Sequence, residues 1–217
     1  MQKSIKMKLT VISLFGIVAP LFYIIPTIVG GLLRPGYSHL SNSVSDLLAS
    51  GAPNRIYLMI PFTVYPIFLS VFGFGLFSVL KSKPAPLNSQ TGLIGFILIG
   101  ASMGILGILT MTVFPQDPHG APMTTPGLMH LILVGIQAVS AMAAILLIGF
   151  WFKSNGFSGY FIYSIISFVV LLITGIISII GVTQGSQFIG LFERLNVGAI
   201  IQWLIVIGIW FMLKLPV

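Results

Sequence analysis

Leu9-Thr-Val-Ile-Ser-Leu-Phe-Gly-Ile-Val-Ala-Pro-Leu-Phe-Tyr-Ile-Ile-Pro-Thr-Ile-Val-Gly-Gly-Leu-Leu33 is an unbroken apolar run of 25 residues. It carries no charged side chain, and Lys3, Lys6 and Lys8 precede it. A basic start followed by an apolar run has the outline of a secretory signal. The run is far longer than the apolar core of such a signal, about 7–15 residues, and no A-x-A-like cleavage site follows. It is long enough to cross a hydrocarbon core of about 30 Å, which takes about 20 residues. We therefore read 9–33 as a retained transmembrane helix, kinked at Pro20 and Pro26, where freed carbonyls must find other donors.

Five similar runs follow, at about 56–80, 92–113, 128–151, 160–182 and 195–213. The whole chain of 217 residues is 57% hydrophobic and only 6% charged, with a mean hydropathy of +1.11. Soluble domains are about 25% charged. These numbers predict an all-α integral membrane protein with six transmembrane helices, organised as a single domain over 1–217. The connections Lys81-Ser-Lys-Pro-Ala-Pro and Lys153-Ser-Asn-Gly read as turns from their Pro, Gly and Asn content. Cysteine is absent, which excludes disulfides, thiolate metal sites and cysteine nucleophiles. The net charge of +7 comes from residues scattered singly between apolar runs. No basic stripe forms, and a nucleic-acid partner is not expected.

Those cations instead set topology. Lys3, Lys6, Lys8, Lys81, Lys83, Lys153 and Lys214 fall on the side of the termini, against Arg34, Arg55 and Arg194 opposite. The positive-inside rule then places both termini in the cytoplasm. All three carboxylates, Asp46, Asp117 and Glu193, and all three histidines, His39, His119 and His130, fall on or just inside the outer face.

The densest polar stretch is Arg34-Pro-Gly-Tyr-Ser-His-Leu-Ser-Asn-Ser-Val-Ser-Asp-Leu-Leu-Ala-Ser-Gly-Ala-Pro-Asn-Arg55. At 100° per residue, Asn42, Ser45, Asp46 and Ala49 share one face, with Leu40, Val44, Leu47 and Leu48 opposite. This predicts a short amphipathic helix in the first outer loop, with Ser41 able to cap it, Gly51 to end it and Pro53 to block its continuation. Lying in the interface, it would turn its leucines to acyl chains or the bundle and Ser45 and Asp46 to water or a polar cavity. Asp46 reads equally as a solvated carboxylate paired with Arg34 or Arg55 and as a general base, a headgroup contact or a metal ligand.

Phe114-Pro-Gln-Asp-Pro-His-Gly-Ala-Pro is rich in turn formers, so Asp117 closes an Asx-turn or takes part in a site. His130 lies about one turn into the fourth span, with Gln137 on the same face roughly 10 Å deeper. An ionisable group at that depth generally faces the bundle interior or a wet cavity. Glu193 and Arg194 open the sixth span, where Glu193 suits a positive helix N-terminus. Asn196 shares its side, and Gln202 points the other way. No tight spacing such as H-E-x-x-H supports a metal site, and no cofactor is expected. Gly100-x-x-x-Gly104 and Gly107 in the third span fit close helix packing.

Arg34-Pro-Gly-Tyr-Ser-His-Leu-Ser-Asn-Ser-Val-Ser-Asp-Leu, Phe114-Pro-Gln-Asp-Pro and His130 together resemble the domain of unknown function 998 family over essentially the whole chain. These are six-helix membrane proteins of bacteria and archaea, which implies the inner membrane of a prokaryote. A fainter likeness connects the layout to the Frag/DRAM/Sfk family, in which a Ser-Asp loop follows the first helix and a His heads the fourth. Some of its members handle lipids or lipid anchors. That likeness implies a shared polar cluster of Ser45, Asp46 and His130. Ceramidase-like hydrolases also combine Ser, Asp and His, but their paired histidines on the last helix are missing here.

The leading expectation is a protein that binds or processes lipid headgroups at the outer leaflet. Asp46 and His130 would serve as base and acid, Arg34 or Arg194 would hold a phosphate, and Ser45, Asp117 and Glu193 would support them. Membrane lipids are the expected partners. A non-catalytic partner or sensor that uses the outer loops for a protein partner is the alternative, and a small-solute transporter a third reading. Whether a reaction is catalysed, and in what oligomeric state, stays open at this point.

Overall fold

The computed structural model describes residues 2–118 and 120–214, so His119 lies outside the described residues. Six helical segments are long and apolar enough to cross a membrane: Ile5–Leu33, Arg55–Lys81, Gln90–Thr112, Thr125–Ser154, Ser158–Val182 and Ile189–Leu213. No strand occurs among the described residues. The protein is an all-α, multi-pass membrane protein, as its apolar runs require.

The first span is two helices, α1 (Gln2–Val18) and α2 (Leu21–Leu33), separated at Ala19 and Pro20. The break falls where Pro20 withholds an N–H. Pro26 stays inside α2, and next to it the Thr27 hydroxyl donates to the Tyr23 carbonyl at 2.6 Å. The second span is α3 (Arg55–Lys81). The third is composite: α4 (Gln90–Leu98), a π-helical stretch Ile99–Leu106, and α5 (Gly107–Thr112). The fourth to sixth spans are α6 (Thr125–Ser154), α7 (Ser158–Thr183) and α8 (Ile189–Leu213).

Contacts run α1 to α3, α3 to α4, α4 to α6, α6 to α7, α7 to α8 and α8 back to α1. The spans therefore close a ring in chain order. Ile25, Ile28, Leu32, Val139, Ile166 and Ile179 are among the many large apolar side chains exposed around it. Water would penalise such a surface, and acyl chains match it.

The two halves of the ring are filled differently. At the end that bears the termini, Trp151, Phe152, Trp210 and Phe211 are at most 1% exposed and pack edge-on, stacked or tilted with ring centroids 4.8–6.4 Å apart. Each such pair contributes about 0.5–1.5 kcal/mol beyond area burial. The Trp151 indole N–H also needs a partner in a dry core, and it donates to Leu87 O at 2.8 Å, pinning the loop between α3 and α4. Where α3 meets the π-helical stretch, a Cβ on Gly73 would strike the backbone of Gly100 and Phe96, and one on Gly104 would strike Ser70. Small residues here permit backbone-to-backbone contact, which is how helices adhere when lipid removes the hydrophobic drive between them.

The opposite end, called the distal face below, carries the loops 34–54, 113–124 and 184–188. The expected amphipathic helix is a single 3₁₀ turn, Ser45–Leu48. It does not lie flat among lipids. Val44 is 3% exposed, Asp46 6%, Leu47 1% and Leu48 6%, and the leucines pack on Leu58 and Phe62 of α3. The loop is inserted into the mouth of the ring.

Candidate functional site

Four residues of the distal loop specify the 3₁₀ turn. Ser43 Oγ accepts the Asp46 N–H at 3.0 Å, and Asp46 Oδ2 accepts the Ser43 N–H at 2.9 Å. This is a capping box, in which two N–H groups orphaned at a helix start are satisfied reciprocally. The next N–H groups of the turn, on Val44 and Ser45, go to the Glu193 carboxylate, with Val44 N to Oε2 at 2.8 Å. Every donor at the start of the turn thus has an acidic or hydroxyl partner, and one of those partners comes from α8.

The carbonyls of the same loop are gripped by arginines. Arg34 donates to Asp46 O, Arg55 Nε to Leu48 O at 3.0 Å, and Arg194 Nη1 to His39 O at 2.8 Å and Asn42 O at 2.9 Å. Arg194 Nη2 donates to the Tyr37 hydroxyl at 2.6 Å, and that hydroxyl donates to Ser43 O at 2.7 Å. Arg34 and Arg194 also lie over the Tyr37 ring, 5.9 and 5.8 Å from its centroid. Burial pushes the Tyr37 phenol above its ordinary pKa, with Arg194 opposing, so the group remains a donor. Partial burial and Arg194 hold His39 below the usual imidazole value. A Cβ on Gly190 would overlap the Asn42 carbonyl, so glycine is what allows the loop to seat on the start of α8.

Loop 113–124 completes the distal face. Asp117 accepts from Thr124 N at 2.8 Å and from Thr124 Oγ1 at 2.7 Å. These two bonds hold its carboxyl below the usual carboxylate value. Thr124 in turn caps α6 by accepting the Gly127 N–H at 3.2 Å. Gln116 joins the two loops, its Nε2 donating to Asp46 Oδ1 at 3.1 Å and its carbonyl accepting from Ser50 N at 3.0 Å. His130, 4% exposed, places Nδ1 at 2.8 Å from Phe114 O. A carbonyl only accepts, so Nδ1 carries the proton and a neutral ring has its lone pair on Nε2.

Beneath these loops the ring encloses a cavity of about 150 Å³. Val44, Ser45 and Leu48 roof it, with Pro115 beside them. Its walls are mostly apolar, including Phe62, Met103, Met111, Val134 and Ala138. Its polar lining is Glu193, His130, Gln137, Asn196, Thr110, Tyr23 and Tyr65. Three of the residues expected at a site, His130, Glu193 and Ser45, therefore meet at one cavity. Asp46, Asp117, Arg34 and Arg194 do not line it: their polar groups are engaged in ordering the loops above. Among the described residues no group of three or more His, Asp or Glu is placed to hold a metal ion.

Two features departed from the sequence reading. α8 begins at Ile189, six residues before the expected Leu195, because nothing between Ser186 and Glu193 breaks a helix once Gly185 has ended the previous one at φ +65°. Glu193 therefore lies in the second turn of α8 and caps the loop instead of its own helix. Tyr23 and Tyr65 were not singled out. A tyrosine in the middle of a span, away from the interfacial belts these residues favour, is the signal that marks them.

No curated protein and no solved structure matches the chain. The family model described as "Protein of unknown function (DUF998)" matches residues 17–210, and the chain belongs to that family.

Proposed function

We propose that this protein binds the headgroup of a membrane lipid in the cavity beneath the 34–54 loop, within the leaflet that meets the distal face. The whole chain acts as one six-helix unit, with the distal face outside and both termini in the cytoplasm of a prokaryotic cell, as the distribution of lysines favours. The observation that carries this reading is a mostly apolar cavity within the six-helix ring, with Glu193 and His130 in its polar lining. A cavity of about 150 Å³ takes a group the size of benzene. It therefore suits a head and the first carbons of a chain, and the remaining chain stays among the helices or in the bilayer.

Binding is favoured over processing because Asp46, the expected base, spends both carboxylate oxygens on Ser43 and Gln116. In this account Asp46 is a positioning residue that orders the loop carrying Ser45 to the cavity. Binding is favoured over transport because the half of the ring nearer the termini is filled by the Trp151, Phe152, Trp210 and Phe211 cluster. Gln202 and Ser178 deeper in the bundle are engaged within the protein: Gln202 Nε2 donates to Ser167 Oγ at 2.9 Å and Ser178 to Thr174 O at 2.8 Å.

The test is native mass spectrometry of the protein released from its own membrane, comparing wild type with Ala138→Phe. The new ring fills the cavity and leaves Glu193 and His130 in place. Wild type retains a lipid after detergent exchange and the variant loses it while unfolding at a similar temperature. Equal retention by both contradicts the proposal.

A further inference from the structure

The hydrogen-bond inventory of the cavity is lopsided. Gln137 Nε2 donates to Leu133 O at 3.1 Å and to Thr110 Oγ1 at 2.8 Å. Asn196 Nδ2 donates to Leu171 O at 2.8 Å and to Thr174 Oγ1 at 3.1 Å. One partner of each amide is a backbone carbonyl, which fixes nitrogen and oxygen unambiguously. Each amide has committed its donors to the protein, and among the described residues neither amide oxygen accepts a bond.

His130 follows the same pattern, with its Nδ1 proton given to Phe114 O and the neutral ring's lone pair on Nε2. The Thr110 hydroxyl donates to Leu106 O at 2.8 Å, which uses its proton too. Glu193 is an acceptor by nature when ionised, and its Oε2 is occupied by Val44 N. The cations nearest in the chain do not line the cavity. Arg194 follows Glu193 but directs its Nη atoms to His39 O, Asn42 O, Gly190 O and Tyr37, and Arg34 turns to Asp46 O. Among the lining residues, the hydroxyl protons of Tyr23, Tyr65 and Ser45 have no partner in the described protein, and a hydroxyl also accepts.

Free acceptors on Gln137 and Asn196 beside a carboxylate, in a mostly apolar enclosure, define the complement. We propose that the cavity selects a protonated amine carried on an apolar body, its N–H groups directed to Glu193, Asn196 and Gln137. This rests on the headgroup reading above and names its chemical class. Asn196 lies three residues after Glu193, about one helical turn and roughly 4.5 Å along α8, so one ammonium can address both, while Gln137 approaches from α6. A phosphate or carboxylate head meets the lone pairs of Glu193, Asn196 and Gln137 and is disfavoured, because a buried acceptor facing an acceptor is costly. The same argument removes the anionic headgroup for which Arg34 and Arg194 were considered.

The experiment uses the full chain in nanodiscs of a zwitterionic lipid and titrates dodecylamine, dodecanol, dodecyl phosphate and hexylamine, followed by native mass spectrometry. Ala138→Phe serves as the measure of simple partition into the bilayer. Dodecylamine should occupy wild type at a concentration about tenfold lower than dodecanol or dodecyl phosphate, since a charge-assisted hydrogen bond supplies a factor of that order. Glu193→Gln should abolish the preference. Because Glu193 also seats the loop, Gln137→Leu provides a second variant away from it, and should reduce the preference about threefold, the share of one neutral acceptor.

Dodecanol or dodecyl phosphate binding wild type as tightly as dodecylamine overturns the amine assignment and leaves the headgroup reading standing. Hexylamine alone distinguishing wild type from Ala138→Phe supports the amine assignment and overturns the lipid reading. No probe distinguishing the two proteins overturns both.

Discussion

The Glu193 carboxylate in the second turn of α8 accepts the Val44 N–H at 2.8 Å, joining positions 149 residues apart. One oxygen of a membrane-helix side chain thus ends the start of the 3₁₀ turn that roofs the cavity. The same residue lines that cavity, so loop seating and ligand contact share a group. Glu193→Gln retains an amide oxygen for Val44 but gives up the charge. Charge-assisted hydrogen bonds contribute about 1.5–3 kcal/mol against about 1 for neutral ones. The expected outcome is a loss of about 1 kcal/mol in global stability, with faster amide exchange at 43–48 and unchanged exchange in α6. Exchange unchanged at 43–48 would show that the bond does not hold the loop.

Asp117 provides a pH dependence. Its folded carboxyl titrates below the ordinary value because Thr124 donates twice to the charged form. A depressed carboxyl stabilises the fold above its unfolded value, about 3.9, and that stabilisation is lost as pH falls through the folded value. Amide protection factors across 113–124, the exchange rates divided into the intrinsic rates at each pH, should therefore be flat from pH 7 to 5 and fall below about pH 4. Asp117→Asn should lower them already at pH 7 and remove the pH step.

Gly127 supports the same cap from below. A Cβ there would overlap the Asp117 carboxylate, so Gly127→Ala must displace either the side chain or α6. Loss of a helix cap costs about 1 kcal/mol. By contrast, Gly73→Ala drives a methyl into the Gly100 backbone, which cannot yield as a side chain does. Its expected cost is larger, about 1–3 kcal/mol as for overpacked cores. Steric trapping or denaturant unfolding in mixed micelles should rank Gly73→Ala below Gly127→Ala, and the reverse order would refute the packing account.

How much of this was legible in the sequence follows from the range of each interaction. Uncharged runs such as 9–33 reveal spans because the bilayer demands length and apolarity locally. Pro20 revealed the break between α1 and α2 for an equally local reason. Ser43-Val44-Ser45-Asp46 contains the S-x-x-D pattern of a capping box, and that signal was present although Ser41 was the cap expected. What no local rule supplies is the burial of that turn. It depends on Arg194 and Glu193 arriving from the far end of the chain and on Gly190 making room. His130 was recognisable as an ionisable group at depth, whereas its separation from Asp46 by the cavity roof is a tertiary fact.

The cysteine-free chain makes orientation simple to check. Ser41→Cys and Ser82→Cys place single thiols at exposed positions on the two faces, where substitutions usually change stability by less than about 0.5 kcal/mol. An impermeant maleimide added to intact cells should label Ser41→Cys only. Labelling of Ser82→Cys alone would invert the topology.

Photocrosslinking with a lipid that carries a diazirine in its head probes the headgroup site beneath the 34–54 loop. Peptide mapping should place the adducts on α6 between His130 and Ala141 and on α8 between Glu193 and Ile200, the two walls of the cavity, and Ala138→Phe should abolish them. Adducts confined to the lipid-facing groove between α2 and α3, around Ile25, Val29, Tyr57 and Pro61, and unaffected by that substitution, would contradict the account.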